Sequence, residues 1–84
     1  MSQQNSRIVY HLTHSNADAK WHLKRVGGVA VGAYATKDEA KREGEKLGNA
    51  HLKNGELAQL VIHRQDGSIE EEFTYGKDPR NVPG

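Results

Sequence analysis

LVIHRQDGSIEEEFTY, residues 60–75, decides the architecture of the chain. Asp66-Gly67 sits between two runs in which apolar and polar residues alternate. Alternation with period two marks a strand that covers one face. Asp-Gly accepts positive φ at both central positions of a type I′ turn, the turn whose twist suits a two-residue hairpin. Such a turn places Gln65 opposite Ser68, and therefore Leu60 opposite Phe73 and Ile62 opposite Glu71. Ile69, Phe73 and Tyr75 then share the face of Leu60 and Ile62, so register and pattern agree. A C-terminal hairpin is predicted, from Leu57 to Arg64 and from Ile69 to Tyr75.

Upstream lies a helix start. Thr36-Lys-Asp-Glu39 fits the capping box, and Asp38 and Glu39 put negative charge in the first turn, where the helix dipole favours it. Asp38–Arg42 and Lys41–Glu45 are oppositely charged pairs at i,i+4 spacing. Ala40, Gly44, Leu47, Gly48 and His51 form a narrow inward stripe of mostly small side chains, which predicts a helix lying close on a sheet. Asn54-Gly55 supplies the stop.

Further upstream, Arg7 to Thr13 alternates with Ile8, Tyr10 and Leu12 on one face. Lys20 to Val26 alternates with Trp21 and Leu23 opposite His22 and Lys24. Together they predict a first hairpin across a loop of about five residues. Gly27-Gly28 breaks the pattern, and Val29 to Tyr34 is expected as a short extended piece. The expected fold class is α+β: a single antiparallel sheet of about four strands, in ββαββ order, with one helix packed on one face. Residues 1–6 are expected as a disordered N-terminus, 7–75 as one domain and 76–84 as an extended tail.

At 84 residues and 35% apolar composition the core must be thin. With no cysteine there is no disulfide framework and no thiolate ligand or nucleophile. No apolar run is long enough to span a bilayer and the N-terminus lacks a signal-peptide core, so a cytoplasmic location is expected and membrane association is not. Charge is uneven: residues 1–37 carry five basic side chains against Asp18, whereas residues 38–84 carry seven basic and ten acidic ones.

Several motifs together resemble a known family. Trp21 begins an alternating basic stretch, and Thr36-Lys-Asp-Glu-Ala40 opens the helix. Leu60-Val-Ile-His63, Asp66-Gly67 and Thr74-Tyr-Gly76-Lys-Asp-Pro79 follow. In this order they are similar to the small bacterial proteins grouped as domain of unknown function family 2188, over roughly residues 7 to 80. The glycine-rich stretch from Val26 to Ala33 and the paired Gly44 and Gly48 depart from the family's usual pattern. The resemblance supports the fold and carries over no catalytic residue.

No catalytic, cofactor or metal site is expected. Five histidines invite a zinc reading, but three or four ligands are needed and neither HxH nor HExxH spacing is present. Glu70, Glu71 and Glu72 alternate across a strand, so Glu70 and Glu72 point one way; a solvated, edge-guarding face explains them better than acid–base chemistry. Two readings remain. The favoured one is a non-enzymatic protein-interaction module, self-associating as a homodimer or binding another protein. The alternative is nucleic-acid contact by a basic strip on the first hairpin: Arg7, Lys20, Trp21, His22, Lys24 and Arg25. There Trp21 would stack on a base and the cations would neutralise phosphates. Trp21 shares its face with Leu23, which argues for a place in the core instead.

Overall fold

The computed structural model describes residues 7–76. Five strands and one helix follow in the order β1 (Ile8–Ser15), β2 (Lys20–Arg25), β3 (Ala30–Tyr34), α1 (Lys37–Lys53), β4 (Ala58–His63) and β5 (Ile69–Tyr75). They form one mixed sheet, ordered β3-β2-β1-β4-β5, with α1 on one face. Of the expected termini, 1–6 and all of 76–84 except Gly76 lie outside the described residues.

The fold class is α+β, but the sheet has five strands and is not all antiparallel. β1 and β4 are parallel, with Tyr10 opposite Leu60 and Leu12 opposite Ile62. One segment causes this. Within the stretch Val29 to Tyr34, Ala30–Tyr34 is a strand, paired antiparallel with β2 through Trp21–Tyr34 and His22–Ala33. Three strands therefore precede the helix, and β3 runs in the direction of β1. A helix that carries the chain back delivers the next strand along the same direction. With two strands before the helix, β4 would have met β1 antiparallel; the third reverses the parity.

Ile8, Tyr10, Leu12, Leu23, Leu60 and Ile62 meet the helix, and the buried cluster is Tyr10, Leu12, Leu23, Ala40, Leu60 and Ile62. Central strands β1 and β4 supply four of those six, because they are covered by neighbours on both sides. The helix buries Ala40, Gly44 and Gly48. A Cβ on Gly44 would stand 2.9 Å from both methyl carbons of Leu60, and one on Gly48 would stand 2.5 Å from the Tyr75 ring. The two glycines are what let the helix approach.

The helix ends follow the sequence signals. Thr36 Oγ1 accepts from Glu39 N–H at 3.1 Å. At the other end Gly55 has φ +79, Gly55 N–H donates to Leu52 O and Glu56 N–H donates to His51 O, which is the Schellman pattern. The ion pairs differ from expectation. Lys37 reaches Glu70 and Lys41 reaches Glu71, while the pair found within the helix is Lys46–Glu43.

The C-terminal hairpin keeps its expected register, Leu60–Phe73 and Ile62–Glu71, by a different route. Gly67 has φ +93, whereas Ala19 is the one non-glycine residue with positive φ among those described, so Asp66 does not adopt the type I′ conformation. Gly67 N–H donates to Arg64 O and Arg64 N–H to Ser68 O, closing a three-residue loop. Asp66 is turned back onto Ser68, whose N–H and hydroxyl both donate to its Oδ1 at 2.9 and 2.7 Å. The extra loop residue is compensated by a bulge at Glu70. The bulge moves Ile69 opposite His63, away from Leu60 and Ile62, and leaves it 51% exposed. It also turns Glu70, with Glu71, towards the helix lysines, so Glu70 and Glu72 do not share a face.

Candidate interaction surfaces

Trp21 sits on the helix side of β2. It is half-buried and packed against the core, with the His14 ring edge-on at 4.8 Å and the Lys37 ammonium 5.7 Å from its centroid. Lys41 lies 5.2 Å from the Phe73 ring. Each lysine of the first helical turns thus bridges an aromatic ring and a glutamate of β5, and together they clamp the helix to the sheet. The Lys37 ammonium, hydrogen-bonded to Glu70, holds that carboxyl below its ordinary value. The two Ser68 donors do the same for Asp66.

A second clamp holds the helix C-terminus. The Tyr10 hydroxyl and His51 Nε2 are 2.8 Å apart, and His51 Nδ1 lies 2.7 Å from Glu56 Oε1. Tyr10 is 4% exposed, so its hydroxyl gains from a partner inside the fold. The Tyr10–His51 contact joins residues far apart in sequence, and no local spacing announces it.

The other face of the sheet is open. Strand alternation places Lys20, His22 and Lys24 of β2 there, beside Thr13 and His11 of β1 and Val61 and His63 of β4. The candidate strip is therefore divided: Lys20, His22 and Lys24 share the open face, while Trp21 and Arg25 alternate to the helix side. Arg7 is exposed just before β1. His22 is held 2.9 Å from Asp18. Among the described residues no three His, Cys, Asp or Glu side chains are grouped to hold a metal ion.

His11 Nδ1 stands 2.8 Å from His63 Nε2, and His63 Nδ1 stands 2.9 Å from Gly67 O. A carbonyl only accepts, so His63 Nδ1 carries a proton and, in the neutral ring, Nε2 accepts from His11. Burial, then the neighbouring His63, pushes the His11 pKa below 6.5, against a smaller opposing pull from Glu72. Lys24 is its cross-strand neighbour on β2. A depressed folded-state pKa means that the unfolded chain binds the proton more readily. The His11 contribution to stability is thus present above about pH 6.5 and lost as pH falls through the folded value. Urea midpoints should drop between about pH 7.5 and about pH 5, and His11→Gln should shrink that drop. An unchanged pH dependence in the variant would remove His11 as its source. The depressed Glu70 and Asp66 act in a separate window, losing their contributions only as pH falls through the carboxylate range.

The two edges of the sheet are unlike. β5 carries Glu70, Glu71 and Glu72. β3 and its flanks, from Val26 to Thr36, carry no charged side chain, and Val26, Val29 and Val31 are 60%, 79% and 42% exposed. Val29 and Val31 are thus exposed at this edge, whereas Val26, whose N–H donates to Val9 O, continues β2 alongside β1. The uncharged run is visible in the sequence; its place on an outer strand is not.

No helix among the described residues is long and apolar enough to cross a membrane. Comparison with curated proteins and with solved structures gives no match. The family model described as "Uncharacterized protein conserved in bacteria (DUF2188)" matches residues 10–75, from within β1 to the end of β5. The chain belongs to that family.

Proposed function

We propose that this family member is a non-enzymatic protein-interaction module of the cytoplasm that docks by accepting a strand at the β3 edge. The observation that carries the reading is the contrast between its edges. Exposed edge strands are ready templates for pairing and are normally blunted by charge, proline or bulges. β5 has glutamates and a bulge. β3 has a bulge at Val31 but no charge, and it presents Val31, with Val29 just ahead of it, to solvent. The bulge confines regular pairing to Gly32–Tyr34, so side-chain burial contributes more than a long hydrogen-bond ladder. Contact of that size belongs to the weak, exchangeable class of interface. Nucleic-acid contact is supported less well, since Trp21 lies on the opposite face from Lys20, His22 and Lys24 and leaves them without a stacking ring.

A photo-crosslinking residue at position 29, in bacterial cells, should give covalent protein adducts. The same probe at position 74, on β5, should give none. Absence of adducts from position 29, or equal yields from both positions, would reject the reading.

A further inference from the structure

We infer that the strand accepted at β3 is an acidic one, with a glutamate or aspartate facing the open side of the sheet opposite Ala33 and apolar residues on either side of it. This rests on the docking edge argued above and goes further by naming the chemistry of its occupant.

Pleating settles which side chains an incoming strand meets. A strand laid beside β3 shares its alternation, so the residue opposite Ala33 points to the open face and its two neighbours point to the helix side. On the open side β3 presents Ala33, level with His22, and, across the bulge, Ala30, level with Lys24. Both alanines are exposed. Behind them on the same face of β2 stand Lys20 and Lys24, one on each side of His22 along the strand and both exposed. The incoming backbone would run two strand spacings from β2, about 10 Å, which a lysine and a glutamate bridge together with only an alanine methyl beneath them. Asp18, the nearby acid, is already occupied: His22 Nε2 is 2.9 Å from its Oδ2, and Lys20 N–H donates to its Oδ1 at 3.1 Å. A carboxylate opposite Ala33 would therefore lie between two ammonium groups. Arg42 and Lys53 stand on the helix and Arg7 ahead of β1, so it is their place on the sheet that singles out Lys20 and Lys24.

The helix side asks for the opposite. Gly32 and Tyr34 point there, paired with Leu23 and Trp21, and Tyr34 packs against the core. A Cβ on Gly32 would stand 2.7 Å from the Tyr34 hydroxyl, so the ring lies over the glycine. Burial, and then the charge of Glu43, pushes the Tyr34 pKa up, so a further carboxylate is disfavoured and an apolar side chain suits the ring. Along Gly32–Tyr34, where pairing is regular, the edge thus calls for apolar, acidic, apolar in turn.

The test is amide chemical-shift perturbation of the full, isotope-labelled chain titrated with three capped peptides. One is Thr-Val-Glu-Val-Glu-Val-Thr, the second has lysine for both glutamates, and the third has the composition of the first with its glutamates adjacent. The first should shift the amides of Gly32, Ala33 and Tyr34 and weaken as salt rises; the other two should bind less. Lys24→Glu, folded by circular dichroism, should weaken the glutamate peptide by about tenfold or more and favour the lysine peptide instead. Lys53→Glu, the same change of net charge on the far end of the helix, should leave both affinities unchanged. Equal binding of the glutamate and lysine peptides, equal binding of the adjacent-glutamate peptide, or shifts away from β3 overturns the acidic strand. If no peptide binds, the acidic strand is again overturned, and crosslinking from position 29 in cells then decides the docking edge separately: adducts keep it with a partner of other chemistry, and their absence removes both.

Discussion

Leu12→Ala should remove a large share of the folding stability. Leu12 is fully buried at the middle of central strand β1, flanked by Leu23 on β2 and Ile62 on β4. Truncation removes the transfer free energy of its methyl and methylene groups and leaves a cavity that the two neighbouring strands cannot close. The usual cost of such a change is about 2–5 kcal/mol. A domain of this size has roughly 4–10 kcal/mol to lose, at about 0.05–0.15 kcal/mol per residue. The buried cluster has six members, so little else can compensate. Urea denaturation followed by far-ultraviolet circular dichroism measures the change. Val29→Ala, at a site 79% exposed, should move the midpoint hardly at all and serves as the control. A loss below about 1 kcal/mol for Leu12→Ala would mean that the core is repacked or already loose.

Local signals carried the fold a long way. The Thr36 cap, the Asn54-Gly55 stop and the small inward helix stripe are each set by neighbours a few residues apart, so spacing alone reveals them. The register of Leu60 with Phe73 was legible for the same reason. The turn between them was not, because Asp-Gly suits both a two-residue type I′ turn and a three-residue loop with glycine last. The choice lay with Ser68, which holds Asp66, and with a bulge at Glu70 that absorbs the extra residue. The parallel pair β1–β4 depended on whether Val29 to Tyr34 is a strand, and five small or β-branched residues after two glycines do not settle that locally. Surfaces were the least legible. Basic residues at 20, 22, 24 and 25 look like one strip in sequence, yet alternation divides them between faces. The His11–His63 and Tyr10–His51 contacts join distant elements and have no sequence signature at all.

Gly44 offers the sharper trial of how helix and sheet fit. By helix propensity alone, replacing it with alanine should stabilise the chain by about 1 kcal/mol. Packing acts in the opposite direction. The new methyl would stand 2.9 Å from both Leu60 δ-carbons, and Leu60, 1% exposed, has nowhere to go. Overpacking of this kind costs about 1–3 kcal/mol, so Gly44→Ala should be neutral to moderately destabilising. Gly44→Leu cannot be accommodated: the helix must lift from β4, exposing the core, and a loss of 3 kcal/mol or more is expected, as for a major core defect. Two comparisons separate fit from propensity. Asn49→Leu, on the exposed side of the same helix, should cost almost nothing. Gly44→Ala should be better tolerated in a Leu60→Val background than in the wild type, since the shorter side chain opens the space that the methyl needs. Such coupling, about 1 kcal/mol in a double-mutant cycle, is the signature of two groups in contact. Simple additivity, or a stabilising Gly44→Ala, would mean that the helix rides higher over the sheet than 2.9 Å allows and that the glycine is there for another reason.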